Sequence, residues 1–245
     1  MIVSQPVFCV FVIAFMDVEE GAGAAPVESS ASLKDAATAF YKKGAYGDAV
    51  KTYARALAAL GSPPSDAVAA AGILTNRAAA LVMLKAWAAA SSDCADALAL
   101  EPTNAKAAMR KAAADVALGD PEASIALYSG VLAEDPTNIA AKKDRLAAQV
   151  VLRRLGEARG AAAAGDHEKV ASTTALLVDS CPASHQVKLM RATSLLALNR
   201  LQEALVITTD LVSGAGGIGP DAAPVYILRA KILNYQVSKG RESEL

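Results

Sequence analysis

A helix-turn-helix pattern with a period of about 34 residues constrains the fold of this chain more than any other feature of its sequence. The eighth position of each unit holds a small residue: Ala37, Ala78, Ala112, Ala158, Ala192 and Ala230. The fifteenth position holds Gly44, Lys85, Gly119, Gly165 and Asn199. Small side chains let two antiparallel helices approach closely, and glycine supplies the left-handed backbone of a tight turn between them. Each unit is therefore predicted to be a pair of packed helices.

The alignment predicts six units, at residues 30–63, 71–104, 105–138, 151–184, 185–218 and an incomplete one from 223. Pro102, Pro136 and Pro182 recur at position thirty-two, where proline is expected to end the second helix. The composition is 53% hydrophobic but only 4% aromatic, which favours closely packed helices over sheets. The pattern resembles the tetratricopeptide repeat, which implies an all-α fold: a right-handed α-α superhelix (solenoid) of about six repeats.

The spacing also predicts how the chain is divided. Residues 1–30 are predicted to be a leader or disordered segment, and residues 31–138 a first array of three repeats. Residues 139–150 are predicted to be a connecting helix. Residues 151–245 then form a second array, degenerate because Thr174 and Thr208 stand where better units have Tyr53 and Tyr128.

An apolar run at residues 7–16 has the length of a signal-peptide core and is too short to span a bilayer. No lysine or arginine precedes it, so a mis-assigned start or a disordered leader is an alternative interpretation. We expect a cytoplasmic protein with no stable membrane span. The lumen of the endoplasmic reticulum is the alternative if residues 1–25 work as a signal peptide.

Charge and motif content argue against several classes of function. A formal net charge of −1 provides no global field for nucleic acid. Cys9, Cys94 and Cys181 are widely separated, and the short Cys181 to His185 spacing lacks a further ligand pair, so no metal site is expected. No nucleophile-base pair, paired carboxylates or phosphate-binding loop is present. We expect a protein that is not an enzyme and has no cofactor.

Four polar residues should share one strip, because the first helices of stacked repeats line a concave face. Asn76 and Arg110 occupy the sixth position of neighbouring units. Lys106 lies one turn before Arg110, and Lys34 occupies the fifth position of the first unit. Together these side chains are predicted to form an anion-binding site.

This arrangement resembles the dicarboxylate clamp of co-chaperone tetratricopeptide domains. Such domains grip the last aspartate and terminal carboxylate of a Glu-Glu-Val-Asp tail. The resemblance assigns peptide-carboxylate binding to Lys34, Thr38, Asn76, Lys106 and Arg110. Thr38 stands where the family has asparagine, and its hydroxyl is a shorter donor than an amide.

Residues 31–236 are similar to the amino-terminal part of co-chaperones that join these repeats to a J-domain. The similarity is carried by the segments "TNRAAALVMLKAW", "CPASHQVKLMRATSLLALNRLQEALVITTDLV" and "APVYILRAKILNYQ". Neither His167 nor His185 is followed by proline, so the J-domain tripeptide is missing and a truncated or diverged relative is expected. The resemblance implies an adaptor for the tails of heat-shock protein 90 or 70, with clients on repeats four to six. A generic assembly scaffold is the alternative.

Overall fold

The computed structural model of the protein describes residues 28–214 and 223–242. In these residues the chain forms only α-helices, with no strand. They are α1 (Ser30–Lys42), α2 (Tyr46–Ala58), α3 (Ala67–Met83), α4 (Trp87–Leu100), α5 (Ala105–Leu118), α6 (Pro121–Glu134), α7 (Ile139–Ala163), α8 (His167–Ala175), α9 (His185–Ala197), α10 (Leu201–Gly214) and α11 (Ala223–Glu242). None of the described helices is long and apolar enough to cross a membrane. The predicted leader lies outside the described residues except for its last three.

Short polar side chains mark where most helices begin. In each case a side-chain oxygen accepts a hydrogen bond from the backbone N–H three residues later, at Ser29, Asp66, Asn104, Asp120, Asn138, Asp166 and Ser184. Such a cap satisfies one of the free donors of the first turn and stabilises a helix by about 1 kcal/mol. These caps fix where the helices that follow them start.

Consecutive helices pack as antiparallel pairs, as the repeat predicts. The alanines at position eight of the five complete repeats are all fully buried. So are their partners at position twenty: Ala49, Ala90, Ser124, Val170 and Ala204. The α-α solenoid predicted from the period is confirmed.

The fifteenth position forms the turn between the two helices of every complete repeat. All five residues there have positive φ: 78° at Gly44, 60° at Lys85, 92° at Gly119, 72° at Gly165 and 61° at Asn199. The left-handed turn predicted from glycine is therefore also adopted by a lysine and an asparagine. An L-residue costs roughly 1–2 kcal/mol in this conformation, although asparagine tolerates it better than lysine.

Replacing Lys85 with glycine is expected to stabilise the fold by about 1 kcal/mol, because glycine removes the strain of a positive φ. For a domain of this size that corresponds to a rise of about 2–4 °C in Tm. Thermal unfolding followed by circular dichroism measures it. Asn199→Gly is the matched control and should gain less, so equal gains would contradict the explanation.

The long helix α7 joins two repeat registers. Residues 139–150 begin one repeat period after the start of α5, and Ala141 packs in the cluster of α5 and α6 around Tyr128. Val151 and Leu155 instead pack with Leu177 of the second array. Twelve residues of helix correspond to about 18 Å, so α7 offsets the second array from the first by this distance along its axis.

The offset brings the loop before α9 against the end of α5. The Ala183 N–H donates to the Ala117 carbonyl oxygen at 2.9 Å, satisfying one of the last carbonyls of α5. Next to it, a Cβ built on Gly119 would lie 2.2 Å from the Ser184 hydroxyl oxygen. The two arrays therefore meet at a second, tightly packed contact, besides α7.

The expectation that proline ends the second helix holds for α4 and α6, which stop two residues before Pro102 and Pro136. It is wrong for α8, which ends at Ala175, seven residues before Pro182. Residues 176–180 form turns instead, and these place Leu177 and Cys181 in the core of the second array, where both are fully buried. Burial of these side chains thus outweighs continuation of the helix.

Candidate functional site

The predicted strip lies on the first helices of the first three repeats. In the folded chain α1 contacts α3, and α3 contacts α5. Lys34 and Thr38 lie on α1, Asn76 on α3, and Lys106 and Arg110 on α5. The fold therefore places the five predicted residues on three neighbouring helices.

Arg110 is held in position by the neighbouring helix. Its guanidinium Nη1 donates to the Thr75 carbonyl oxygen at 2.8 Å, which fixes the side chain beside Asn76. An arginine has five N–H donors, so four remain for a ligand. Arg110 is half-buried and makes no ion pair within residues 28–214 and 223–242. A fixed, unneutralised guanidinium suits recognition of a carboxylate.

The other three donor side chains of the strip have no partner among the residues that the structure describes. Lys34 and Asn76 are half-buried and Lys106 is exposed. Among the described residues, none of these three side chains makes a hydrogen bond or ion pair with the protein. Four positions on adjacent helices therefore present donors that the fold itself does not use.

Two other cations, on α3 and α5 next to the strip, are paired with acidic side chains. Arg77 donates to both carboxylate oxygens of Asp93, at 2.7 and 2.6 Å, and this hydrogen bonding raises the pKa of Arg77 above its usual value. Lys111 lies 2.9 Å from the carboxylate of Asp115. Both acids are buried. The fold thus neutralises the cations beside the strip and leaves those on it unpaired.

The Thr38 hydroxyl already makes two hydrogen bonds within the protein. It donates to the Lys34 carbonyl oxygen at 2.8 Å and lies 3.0 Å from the hydroxyl of Tyr53, a residue only 2% exposed. A threonine hydroxyl has a single proton, so Tyr53 is the donor in the second bond. Thr38 therefore retains accepting capacity but no free donor. The sequence analysis did not identify this hydrogen bond of Tyr53, although the same position of the third repeat also holds a tyrosine, Tyr128.

Sequence reasoning also missed Asp144 on α7. It lies one repeat period after Arg110, so it occupies the next sixth position along the strip. The side chain is half-buried and has no ion pair among the described residues. The repeat period was the signal that could have found it, but the assignment of residues 139–150 as a connector hid the register.

Positions in the second array that correspond to the strip are mostly apolar. Leu155 is fully buried, Leu228 is 7% exposed, and Arg159 donates to the Gln186 side-chain oxygen at 2.9 Å. Met190 is half-buried and Pro224 is exposed. These side chains do not provide a second set of unpaired donors.

Cys181 and His185, which are close in sequence, differ in their exposure to solvent. Cys181 is fully buried, and burial raises the pKa of its thiol to about 11, whereas His185 is exposed. No group of three or more metal-ligating side chains is found in the described part of the chain.

Comparison with known proteins relates the chain to tetratricopeptide-repeat proteins, although no protein-family model matches it. It is 30% identical over 173 residues to RNA polymerase II-associated protein 3 of Xenopus laevis. The aligned region covers 71% of this chain and 24% of that protein. This chain is 25% identical over 181 residues to DnaJ homolog subfamily C member 7 of Mus musculus, covering 74% and 35% respectively. The chain thus spans about a quarter to a third of the length of these relatives.

Two solved structures complete the comparison. The crystal structure of the P58(IPK) TPR domain superposes with a TM-score of 0.69 at 15% identity, covering 87% of this chain and 57% of that one; this likeness shows the fold. The first TPR of Spaghetti (RPAP3), described as bound to the HSP90 peptide SRMEEVD, is 30% identical with a TM-score of 0.46. It covers 53% of this chain and 99% of that chain.

Proposed function

Because this chain has a tetratricopeptide-repeat fold and is similar in sequence to RNA polymerase II-associated protein 3 and DnaJ homolog subfamily C member 7, we propose that it is a co-chaperone adaptor. It is a non-enzymatic protein that captures the acidic carboxyl-terminal tail of heat-shock protein 90 or heat-shock protein 70. Capture takes place on the strip formed by α1, α3 and α5. The proposed compartment is the cytoplasm, where such tails are available.

The observation that carries this proposal is the contrast between paired and unpaired cations. Arg77 and Lys111 find buried acids within the fold, whereas Lys106 and Arg110 do not. A half-buried guanidinium is less well hydrated than an exposed one, so a counter-charge from another molecule stabilises it. A ligand with closely spaced carboxylates supplies it.

Each residue of the strip has a distinct proposed role. Arg110 and Lys106 donate charge-assisted hydrogen bonds to the terminal carboxylates, and the bond to Thr75 orients Arg110 beforehand. Lys34 adds a third cation, from α1, and the Asn76 amide donates from α3. Thr38 contributes mainly by accepting a hydrogen bond, because its own proton is used by the Lys34 carbonyl.

The peptide SRMEEVD is a suitable probe of this site, because it ends in Glu-Glu-Val-Asp and is the HSP90 peptide of the solved Spaghetti domain. Client proteins are proposed to dock on repeats four to six. A generic protein-interaction scaffold remains the competing function, and it predicts no preference for a free carboxyl terminus.

Amidating the carboxyl terminus of a Met-Glu-Glu-Val-Asp pentapeptide is expected to weaken binding roughly 30-fold, which corresponds to about 2 kcal/mol. Amidation removes one charge and leaves the donors of the strip facing a group that satisfies them poorly. Calorimetry with the free-acid and amidated forms at about 0.15 M salt measures the difference, because remote charges are then largely screened. Equal affinities would favour the generic scaffold.

A further inference from the structure

The helix α11 exposes an apolar stripe on the side opposite to its buried face. On the buried face, Leu228 and Ile232 pack in the core of the second array, against α9 and α10. The members of the stripe are all exposed, and they are Ala223, Tyr226, Ala230, Leu233 and Val237. Their spacing alternates between three and four residues, which is the a and d spacing of a coiled-coil seam. The three large side chains are between 42% and 53% exposed.

The other repeats indicate what such a face packs against. Ala230 occupies position eight of its repeat, where the five complete repeats have an alanine that is fully buried. In those repeats the first helix packs antiparallel against the second helix of the same repeat. Ala230 is exposed, and no helix within residues 28–214 covers it. The face is therefore shaped to receive one antiparallel helix.

A second copy of α11 has the right side chains to pack there. We consider two copies that run antiparallel about a twofold axis between residues 231 and 232. Ala230 of one copy then faces Leu233 of the other, and Tyr226 faces Val237 in the same way. Each layer pairs a smaller side chain with a larger one, which fills the seam evenly. A parallel pair would place tyrosine against tyrosine and alanine against alanine, so one layer would be crowded and another underfilled.

The residues that flank the stripe favour pairing with an identical helix. In the antiparallel register, Arg229 lies beside Gln236 of the second copy, and Ile227 lies beside Asn234. No two like charges are nearest neighbours across this seam, and three of the four flanking residues are uncharged, so the seam does not select for a helix of opposite charge. The Arg229 Nε is buried and has no hydrogen-bond partner in the described part of the chain. The side-chain oxygen of Gln236 offers an acceptor to this guanidinium.

We propose that the protein forms an antiparallel dimer in solution through this stripe of α11. The stripe extends over about 21 Å of helix and is smaller than a standard interface of about 800 Å² per partner. The dimer is therefore expected to be reversible, with a dissociation constant of roughly 10–100 μM. It uses no residue of the peptide-binding strip, so the inference does not depend on the proposed function.

Analytical ultracentrifugation of the full chain between about 2 and 200 μM tests this proposal. The weight-average mass of the unmodified protein is expected to rise from that of one chain towards that of two. Ala230→Glu and Leu233→Lys each place an unpaired charge in the seam, and each should weaken dimerisation at least about 30-fold. Val206→Glu is the matched control, because Val206 is an exposed apolar residue of α10 outside the stripe. It should dimerise like the unmodified protein.

Mixing the Ala230→Glu and Leu233→Lys variants is expected to restore a dimer. In the antiparallel register the introduced carboxylate faces the introduced ammonium, and the other central layer keeps alanine against leucine. A parallel pair would place neither charge opposite the other. An unmodified chain that stays monomeric at about 200 μM would overturn the proposal and leave the face to a helix of another protein. Persistent dimers in both single variants, or a mixture that stays monomeric, would also overturn it.

Discussion

Replacing both Lys106 and Arg110 with alanine is expected to weaken binding of the SRMEEVD peptide by at least about 100-fold. Each side chain is proposed to make charge-assisted hydrogen bonds worth about 1.5–3 kcal/mol, and a tenfold change in affinity corresponds to about 1.4 kcal/mol. The peptide carboxylates would lose two donors at once, while the Lys34 and Asn76 side chains remain. Calorimetry at fixed ionic strength measures the change.

Lys142→Ala combined with Lys143→Ala is the matched control for this double variant. It removes the same charge from two exposed lysines on α7, and neither residue belongs to the strip. We expect it to leave affinity nearly unchanged. Circular dichroism should confirm that both variants fold, because Arg110→Ala also removes the bond to Thr75. Equal losses in the two double variants would indicate a diffuse electrostatic attraction.

Replacing Gly119 with alanine is expected to destabilise the protein by about 2–4 kcal/mol, because the backbone there has a φ of 92°, which is unfavourable for an L-residue. The new Cβ would also lie 2.2 Å from the Ser184 hydroxyl oxygen and 2.8 Å from its Cβ. The contact between the end of α5 and the loop before α9 must therefore open. Urea unfolding measures the loss in free energy of unfolding.

Two further variants separate the clash from the backbone strain. Gly165 has a φ of 72°, and no atom lies within 4 Å of a Cβ placed there. Gly165→Ala should therefore cost only about 1–2 kcal/mol. Adding Ser184→Gly to Gly119→Ala should recover part of the stability, because the clashing side chain is removed while a glycine N-cap costs only a few tenths of a kcal/mol. An equal loss in free energy of unfolding at Gly119 and Gly165 would contradict the tight contact of Gly119 with Ser184.

The repeat period was enough to predict most of the fold. The small residues at positions eight and twenty are the points where paired helices come closest, and their complete burial follows from that spacing. The turn conformation at position fifteen could be read from its three glycines and was adopted by Lys85 and Asn199 as well. These features are local or periodic, so sequence spacing alone determines them.

Part of the candidate site could also be predicted from the sequence. Residues one repeat period apart must lie side by side on neighbouring first helices, and this rule placed Asn76 and Arg110 together from the sequence alone. The same rule applied to residues 139–150 would have shown that Asp144 and Ala147 extend the strip. The repeat spacing includes these two positions, but the assignment of residues 139–150 as a connecting helix left them out of the strip.

The sequence by itself determined the repeats, the helix pairs and the row of polar positions on the first helices, because all three depend on periodicity along the chain. Only the tertiary structure decided which polar groups remain available. Arg77 and Lys111 are neutralised by Asp93 and Asp115, and the proton of Thr38 is held by a backbone carbonyl. The offset of the second array and the contact of Gly119 with Ser184 were also decided there. Pairing, clashes and cavities depend on distances of a few ångströms between side chains on different helices, which a linear spacing does not contain.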